Sequence, residues 1–224
     1  AIACSGVENI FESQGEEEIF GNDFLTELAD VKLPFTKFQL MVKLLKQAIR
    51  DYEKTNKVRA DYFDRLLQQT IDDYNTRDKL SFANDVAKDA VNSLSQVVTE
   101  KVAVLTEELN KLLLAIKEDG QKFKDLGISF EEKAFYDVLC ATRDKHGFEY
   151  DDAKCIELAK KIKELVDDTS VYADWLNNDN LKNRLSSELL ILLYKSGYPP
   201  EWKDEVYEKV LDQVQNFKRH QAVA

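Results

Sequence analysis

Glycine and proline are scarce in this chain, seven and three residues in 224. An all-β fold needs many tight turns, and those turns draw on the two residues that are missing, so a sandwich or barrel is excluded. Long apolar runs are missing as well. The longest, Leu189 to Tyr194, falls far short of the ~20 residues that a membrane-spanning helix requires. Ala1-Ile2-Ala3-Cys4-Ser5 supplies neither a basic segment nor a long apolar stretch, so it does not read as a secretory signal, and without an initiating Met the chain reads as an excised fragment. Cysteine is limited to Cys4, Cys140 and Cys155, an odd number at wide spacing that forms neither a disulfide framework nor a paired zinc motif. These thiols are expected to pack as small hydrophobes, in a protein of the reducing cytoplasm.

Apolar residues make up 44% of the chain and charged residues 33%, a composition that supports a buried core and points to helices. The net charge of −11 is unevenly spread. Residues 1–31 hold eight acids and no base, residues 32–59 carry +6, and the rest carries −9. A basic helix is therefore embedded in an acidic protein. At 100° per residue, Phe38, Val42, Leu45, Ile49 and Tyr52 define its core stripe, and Lys43, Lys46, Arg50, Lys54 and Lys57 a neighbouring cationic flank. Such a flank can hold a phosphate backbone or an acidic partner. It can equally be solvated, or neutralised by the acidic leader of residues 8–30, and the acidic total opposes DNA at long range.

The spacing predicts helices throughout. Asn22 or Asp23 caps a short helix through Leu28, and Pro34 opens the basic helix over about 35–54. A third stretch at about 59–75 repeats apolar residues at Tyr62, Phe63, Leu66, Leu67, Ile71 and Tyr74, as an antiparallel neighbour would. From Ala87 to Gly120, Val91, Leu94, Val98, Val102, Leu105, Leu109, Leu112 and Ile116 recur in steps of three and four. That helix is long enough to bridge two halves or to form a coiled-coil arm, and a core role is the expectation. Ser129-Phe130-Glu131-Glu132 is a capping box. Helices follow to Gly147, from Asp151 or Asp152 through Val166, from Leu181 to Tyr194, and beyond Pro199-Pro200 through Phe217.

Chemistry-bearing motifs are few. No two glycines lie closer than six residues and no Gly-Lys-Ser/Thr occurs, so nothing can wrap a triphosphate. Glu131-Glu132-Lys133 imitates the E-x-K of a Mg²⁺-dependent nuclease, but it falls in the first turn of a helix. His146 and His220 have no ligand set nearby, and spacing alone does not join Cys140 to His146 as a nucleophile and base. The acids and lysines of Glu157 to Asp168 alternate around an amphipathic helix, as a solvated face does. Trp175, Tyr198, Pro199, Pro200 and Trp202 sit at helix breaks, where they serve either elbow packing or partner binding.

Four strings are distinctive: KLPFTKFQLMVKLLKQAI from Lys32, FEEKAFYDVL from Phe130, IELAKKIKELVDD from Ile156 and GYPPEWKDEVYEKVLDQVQNF from Gly197. In that order, and from about Val7 to Lys218, the chain resembles the C-terminal helical region of the R subunit of bacterial type I restriction enzymes. The resemblance implies an all-α, multi-helix bundle in three parts: residues 1–80 with the acidic leader and basic helix, a long connecting helix over 81–120, and a C-terminal helical bundle over 121–224. It implies a parent subunit that is an ATP-dependent, site-specific endodeoxyribonuclease, with nuclease and motor domains that use ATP and Mg²⁺ and lie outside this chain. For the chain itself it implies no catalytic site, no cofactor and no membrane. The implied role is an assembly module that docks the motor subunit on the methyltransferase and specificity subunits, with a clamp on duplex DNA as the alternative. Where relatives tend to carry Asp-Trp-Ser-x-Arg, this chain has Asp174-Trp175-Leu176-Asn177-Asn178. Trp175 is carried over as a contact residue, and Asn178 is assigned no role. Because every apolar stripe has helical spacing, the isolated chain is expected to give a helix-dominated circular dichroism spectrum without metal or nucleotide. A β-dominated spectrum, or folding that requires an added ion, would contradict this.

Overall fold

The computed structural model describes residues 33–76, 90–168 and 178–221, with the side chains of 90–96 and of 221 left aside. The acidic leader with its expected helix at 22–28, Cys4 and Trp175 lie outside the described residues. Those described form helices joined by short loops and turns, with no strand among them. The helices are α1 (Pro34–Thr55), α2 (Lys57–Thr76), α3 (Ala90–Gln121), the single-turn α4 (Phe123–Leu126), α5 (Phe130–His146), α6 (Asp152–Asp168), α7 (Asp179–Lys195) and α8 (Asp204–Gln221). None of the described helices is long and apolar enough to cross a membrane.

The chain divides into two compact units, residues 1–49 with 62–121, and residues 50–61 with 122–224. In the first, α1 buries Phe38, Met41, Leu44, Leu45, Ala48 and Ile49. The stripe is therefore broader than the sequence spacing marked, and Val42 lies at its half-buried edge. Phe38, near the start of α1, stacks on Tyr74, near the end of α2, with ring centroids 3.9 Å apart. The two helices thus run antiparallel, with Asn56 between them. On α2, Phe63 and Leu67 are buried, whereas Tyr62 and Leu66 remain exposed. The predicted stripe of α3 is buried at Val102, Leu105, Leu109, Leu112 and Ile116.

In the second unit, α5 packs most extensively on α6, α8 lies against α5, and α7 contacts α6 and α8. Their shared core runs through Phe135, Leu139, Leu158, Ile162, Leu189, Val210 and Phe217. The Ser129 capping box forms as its sequence predicts. Ser129 Oγ accepts from Glu132 N at 3.1 Å, and Glu132 Oε2 accepts from Ser129 N at 2.7 Å. Helix α5 ends at Gly147, whose φ of +65° is open to glycine at little cost. Asp151 starts α6, its carboxylate accepting from Ala153 N at 2.8 Å.

The turn between α1 and α2 belongs to this second unit and is held by side chains from far along the chain. Two consecutive helix ends leave carbonyls and amides without helical partners. Gln213 on α8 serves both sides: its Nε2 donates to Thr55 O at 2.7 Å, and its Oε1 accepts from Lys57 N at 3.0 Å. Asn216 Nδ2 donates to Glu53 O at 2.7 Å. Asn56 caps α2 by accepting from Arg59 N at 3.1 Å, and its Nδ2 donates to Asp137 on α5 at 2.7 Å. Asp137 also pairs with Lys133, whose side chain is 2% exposed and whose ammonium reaches the Tyr52 hydroxyl at 3.4 Å. Removing one partner of a buried ion pair costs far more than removing both. Asp137→Ala is therefore expected to destabilise the chain by about 3 kcal/mol, at the low end for such pairs because Tyr52 stays in place. Asp137→Asn, which keeps an acceptor for Asn56, should cost less. Urea denaturation measures both, and an Asp137→Ala midpoint equal to the parent's would disprove the dependence.

Candidate functional site

The five cations of the sequence-derived flank do not act alike. Lys43, Lys46, Arg50 and Lys54 are exposed along α1. Lys54 bonds Asp51 at 2.7 Å and sits in the last turn of its helix, where a cation is favoured. Lys57 lies beyond the end of α1, as the first residue of α2, and its ammonium is 2.9 Å from Asp212 on α8. It belongs to the set of contacts around the turn. Lys43, Lys46 and Arg50 remain as a line of exposed cations at steps of three and four.

The residues of the helix break after α7 also separate. Tyr198 is fully buried. Its hydroxyl donates to Leu139 O at 2.6 Å and meets Thr142 Oγ1, while its ring lies edge-on to Phe148 and Tyr150. Burial pushes the Tyr198 phenol upward, so it stays protonated. Pro199, joined to Tyr198 by a cis peptide, is buried and Pro200 is exposed. Trp202 is 41% exposed, its Nε1 donating to Asp204 Oδ1 at 2.7 Å. Tyr198 and Pro199 thus make the elbow, and Trp202 presents a face to solvent.

The E-x-K residues turn to separate tasks. Glu131 meets Lys163 at 2.7 Å, Glu132 closes the capping box and Lys133 pairs with Asp137. The neighbouring Cys140 of α5, together with burial, pushes the Cys155 thiol of α6 up. His146 lies 3.9 Å from Glu205. Among the described residues, no group of three or more His, Cys, Asp and Glu side chains could hold a metal ion.

Sequence reasoning missed the polar side chains that build this unit. Gln213 falls within the apolar repeat Val206, Val210, Val214 and Phe217, and a polar residue in a core stripe was the available signal. Lys218 is nearly as buried, and its Nζ donates to Val166 O at 2.8 Å near the end of α6. Burial lowers its pKa from the ordinary lysine value. Asn178, left without a role, caps α7: its Oδ1 accepts from Asn180 N at 3.1 Å and Leu181 N at 3.3 Å.

Nearly the whole length of the chain carries a family signature. Residues 1–220 match the family described as type I restriction enzyme HindI endonuclease subunit-like, C-terminal. The chain belongs to this family. It is 25% identical over 202 residues to a Methanocaldococcus jannaschii protein named as the endonuclease subunit of type I restriction enzyme MjaIXP. The aligned region is 88% of this chain and 17% of that relative, so the chain spans about a sixth of the relative's length. No solved structure matches.

Exposed substitutions away from any partner change stability by about 0.5 kcal/mol or less. Replacing Lys43, Lys46 and Arg50 together by Gln is accordingly expected to leave the melting temperature of the 224-residue chain nearly unchanged. A clear drop in a thermal melt would instead report that the acidic leader, residues 8–30, pairs with this face.

Proposed function

We propose that this region is a non-catalytic assembly module of a type I restriction endonuclease subunit. It docks the ATP-dependent, DNA-translocating and cleaving subunit onto the methyltransferase and specificity subunits in the cytoplasm. The observation that carries the reading is the family match over 1–220, in a chain that corresponds to about a sixth of a related endonuclease subunit. The rest of such a subunit is then the place for ATP, Mg²⁺ and the cleavage chemistry. The geometry is compatible with this role, because Glu131, Glu132 and Lys133 are each engaged in a separate structural contact.

A clamp on duplex DNA is the second reading, and the exposed line of Lys43, Lys46 and Arg50 favours it. Three cations displace few counterions, so any DNA affinity through them would be weak and would fall only modestly with salt. A pull-down of the co-expressed methyltransferase and specificity subunits by the 224-residue chain tests the first reading, and capture is the expected result. Neither ATP hydrolysis nor Mg²⁺-dependent DNA cleavage should accompany it. Cleavage by the purified chain that disappears in Glu131→Ala would overturn the non-catalytic assignment. Salt-sensitive DNA binding that the triple Gln variant loses would favour the clamp.

A further inference from the structure

Helix α7 buries Leu185, Leu189 and Leu193 at steps of four, yet Leu190, Ile191 and Tyr194 are 41%, 48% and 76% exposed. Trp202, just beyond the elbow, adds a fourth large apolar side chain to the exposed set. Single apolar residues on a surface are ordinary, whereas a cluster around a groove marks an interaction site. Here Leu190, Tyr194, Trp202, Asp204, Tyr207 and Glu208 line an open groove of about 510 Å³ between α7 and α8.

The inner wall of the groove is already fixed. The Tyr207 hydroxyl donates to Ser186 O at 2.9 Å, Trp202 Nε1 donates to Asp204, and the two rings lie 5.8 Å apart. A partner would therefore meet aromatic surfaces whose rotamers are set beforehand, which reduces the entropy lost on binding. The charges of the lining have one sign. Asp204 and Glu208 are both acidic, no lysine or arginine lines the groove, and Glu208 is exposed with no ion pair among the described residues.

We infer that this groove is a docking site for an amphipathic helix of the methyltransferase and specificity core. One bulky apolar side chain of that helix inserts between Tyr194 and Trp202, and a Lys or Arg one turn away meets Glu208. The inference rests on the assembly role proposed above and names its surface and the chemistry of its partner. Duplex DNA does not suit the groove, because its phosphates would face Asp204 and Glu208. A second copy docked face to face would set those same carboxylates against each other.

The test is titration calorimetry of the purified methyltransferase and specificity core with the full-length endonuclease subunit. Tyr194→Ser, Leu190→Ser and Glu208→Lys are each expected to weaken binding about tenfold, the range of a residue at the centre of an interface. Glu208→Gln should fall between the parent and Glu208→Lys, and the Glu208→Lys deficit should shrink at high salt. Helicity and ATP hydrolysis by the subunit should stay at parental levels, since these side chains are exposed. The two separate Ser variants ensure that a folding defect in one leaves the other to decide. A subunit lacking the region of this chain, but still hydrolysing ATP, separates the two ways of failing. If it binds the core as tightly as the parent, the assembly role itself falls. If it fails to bind while all the groove variants bind within about twofold of the parent, the role stands and the groove is wrong. Variants that leave core binding intact but abolish self-association of the subunit, or weaken its DNA binding, would assign the groove to another occupant and overturn the inference.

Discussion

Helix ends must find partners for their backbone groups, and the turn at Asn56 is where this constraint bears most heavily. Helices α1 and α2 follow each other with one residue between them, so the carbonyls that finish one and the amides that begin the other crowd into a few ångströms. Water cannot serve them all, because Asn56 is only 2% exposed. Gln213 and Asn216, some 160 positions later, supply the missing donors and an acceptor. Asp137 completes the set by holding Asn56 and Lys133 together. The arrangement explains why α8 breaks its apolar stripe with an amide, and why a lysine is tolerated in the interior of α5. It also makes residues 50–61 part of the unit formed by α5 to α8.

The same logic governs the half-buried Lys163 and the buried Lys218. Helix α6 ends with its partial negative charge near Lys163 and Lys218. Lys218 donates directly to Val166 O, whereas Lys163 bridges Glu131 and Asp167, each at 2.7 Å, with its ammonium 5.8 Å from the Phe217 ring. Burial pulls the Lys163 ammonium down, but its two carboxylates outweigh that effect and the net shift is upward. Lys218 has no comparable compensation, and its shift is downward. The interior cations of this unit are therefore structural, which separates them from Lys43, Lys46 and Arg50 on the surface of α1.

The distinction matters for the assembly role proposed above. Charges committed to helix ends and ion pairs have little left to offer a partner. Among the described residues, Lys43, Lys46 and Arg50 on α1 and Glu208 in the acid-rimmed aromatic groove beside α7 form no ion pair, and the two surfaces are opposite in charge. An aromatic groove contributes buried apolar area and directional hydrogen bonding, while an exposed cationic line contributes mainly salt-sensitive attraction. The two surfaces would thus suit partners of opposite charge.

The helical class, the approximate extents of α1 to α3 and of α5 to α8, the capping box at Ser129 and the break at Gly147 were all legible in the sequence. Each depends on residues a few positions apart: apolar spacing of three and four, a Ser and a Glu three residues apart, a glycine free to adopt positive φ. The family resemblance was legible for a similar reason, since whole strings of adjacent residues carry it. Tertiary structure alone decided that Lys57 joins Asp212 rather than the cationic flank, that Tyr198 is interior while Trp202 faces outward, and that Gln213 and Asn216 serve a turn near residue 56. Those outcomes depend on which distant helix arrives beside which backbone group, and no local pattern records that distance.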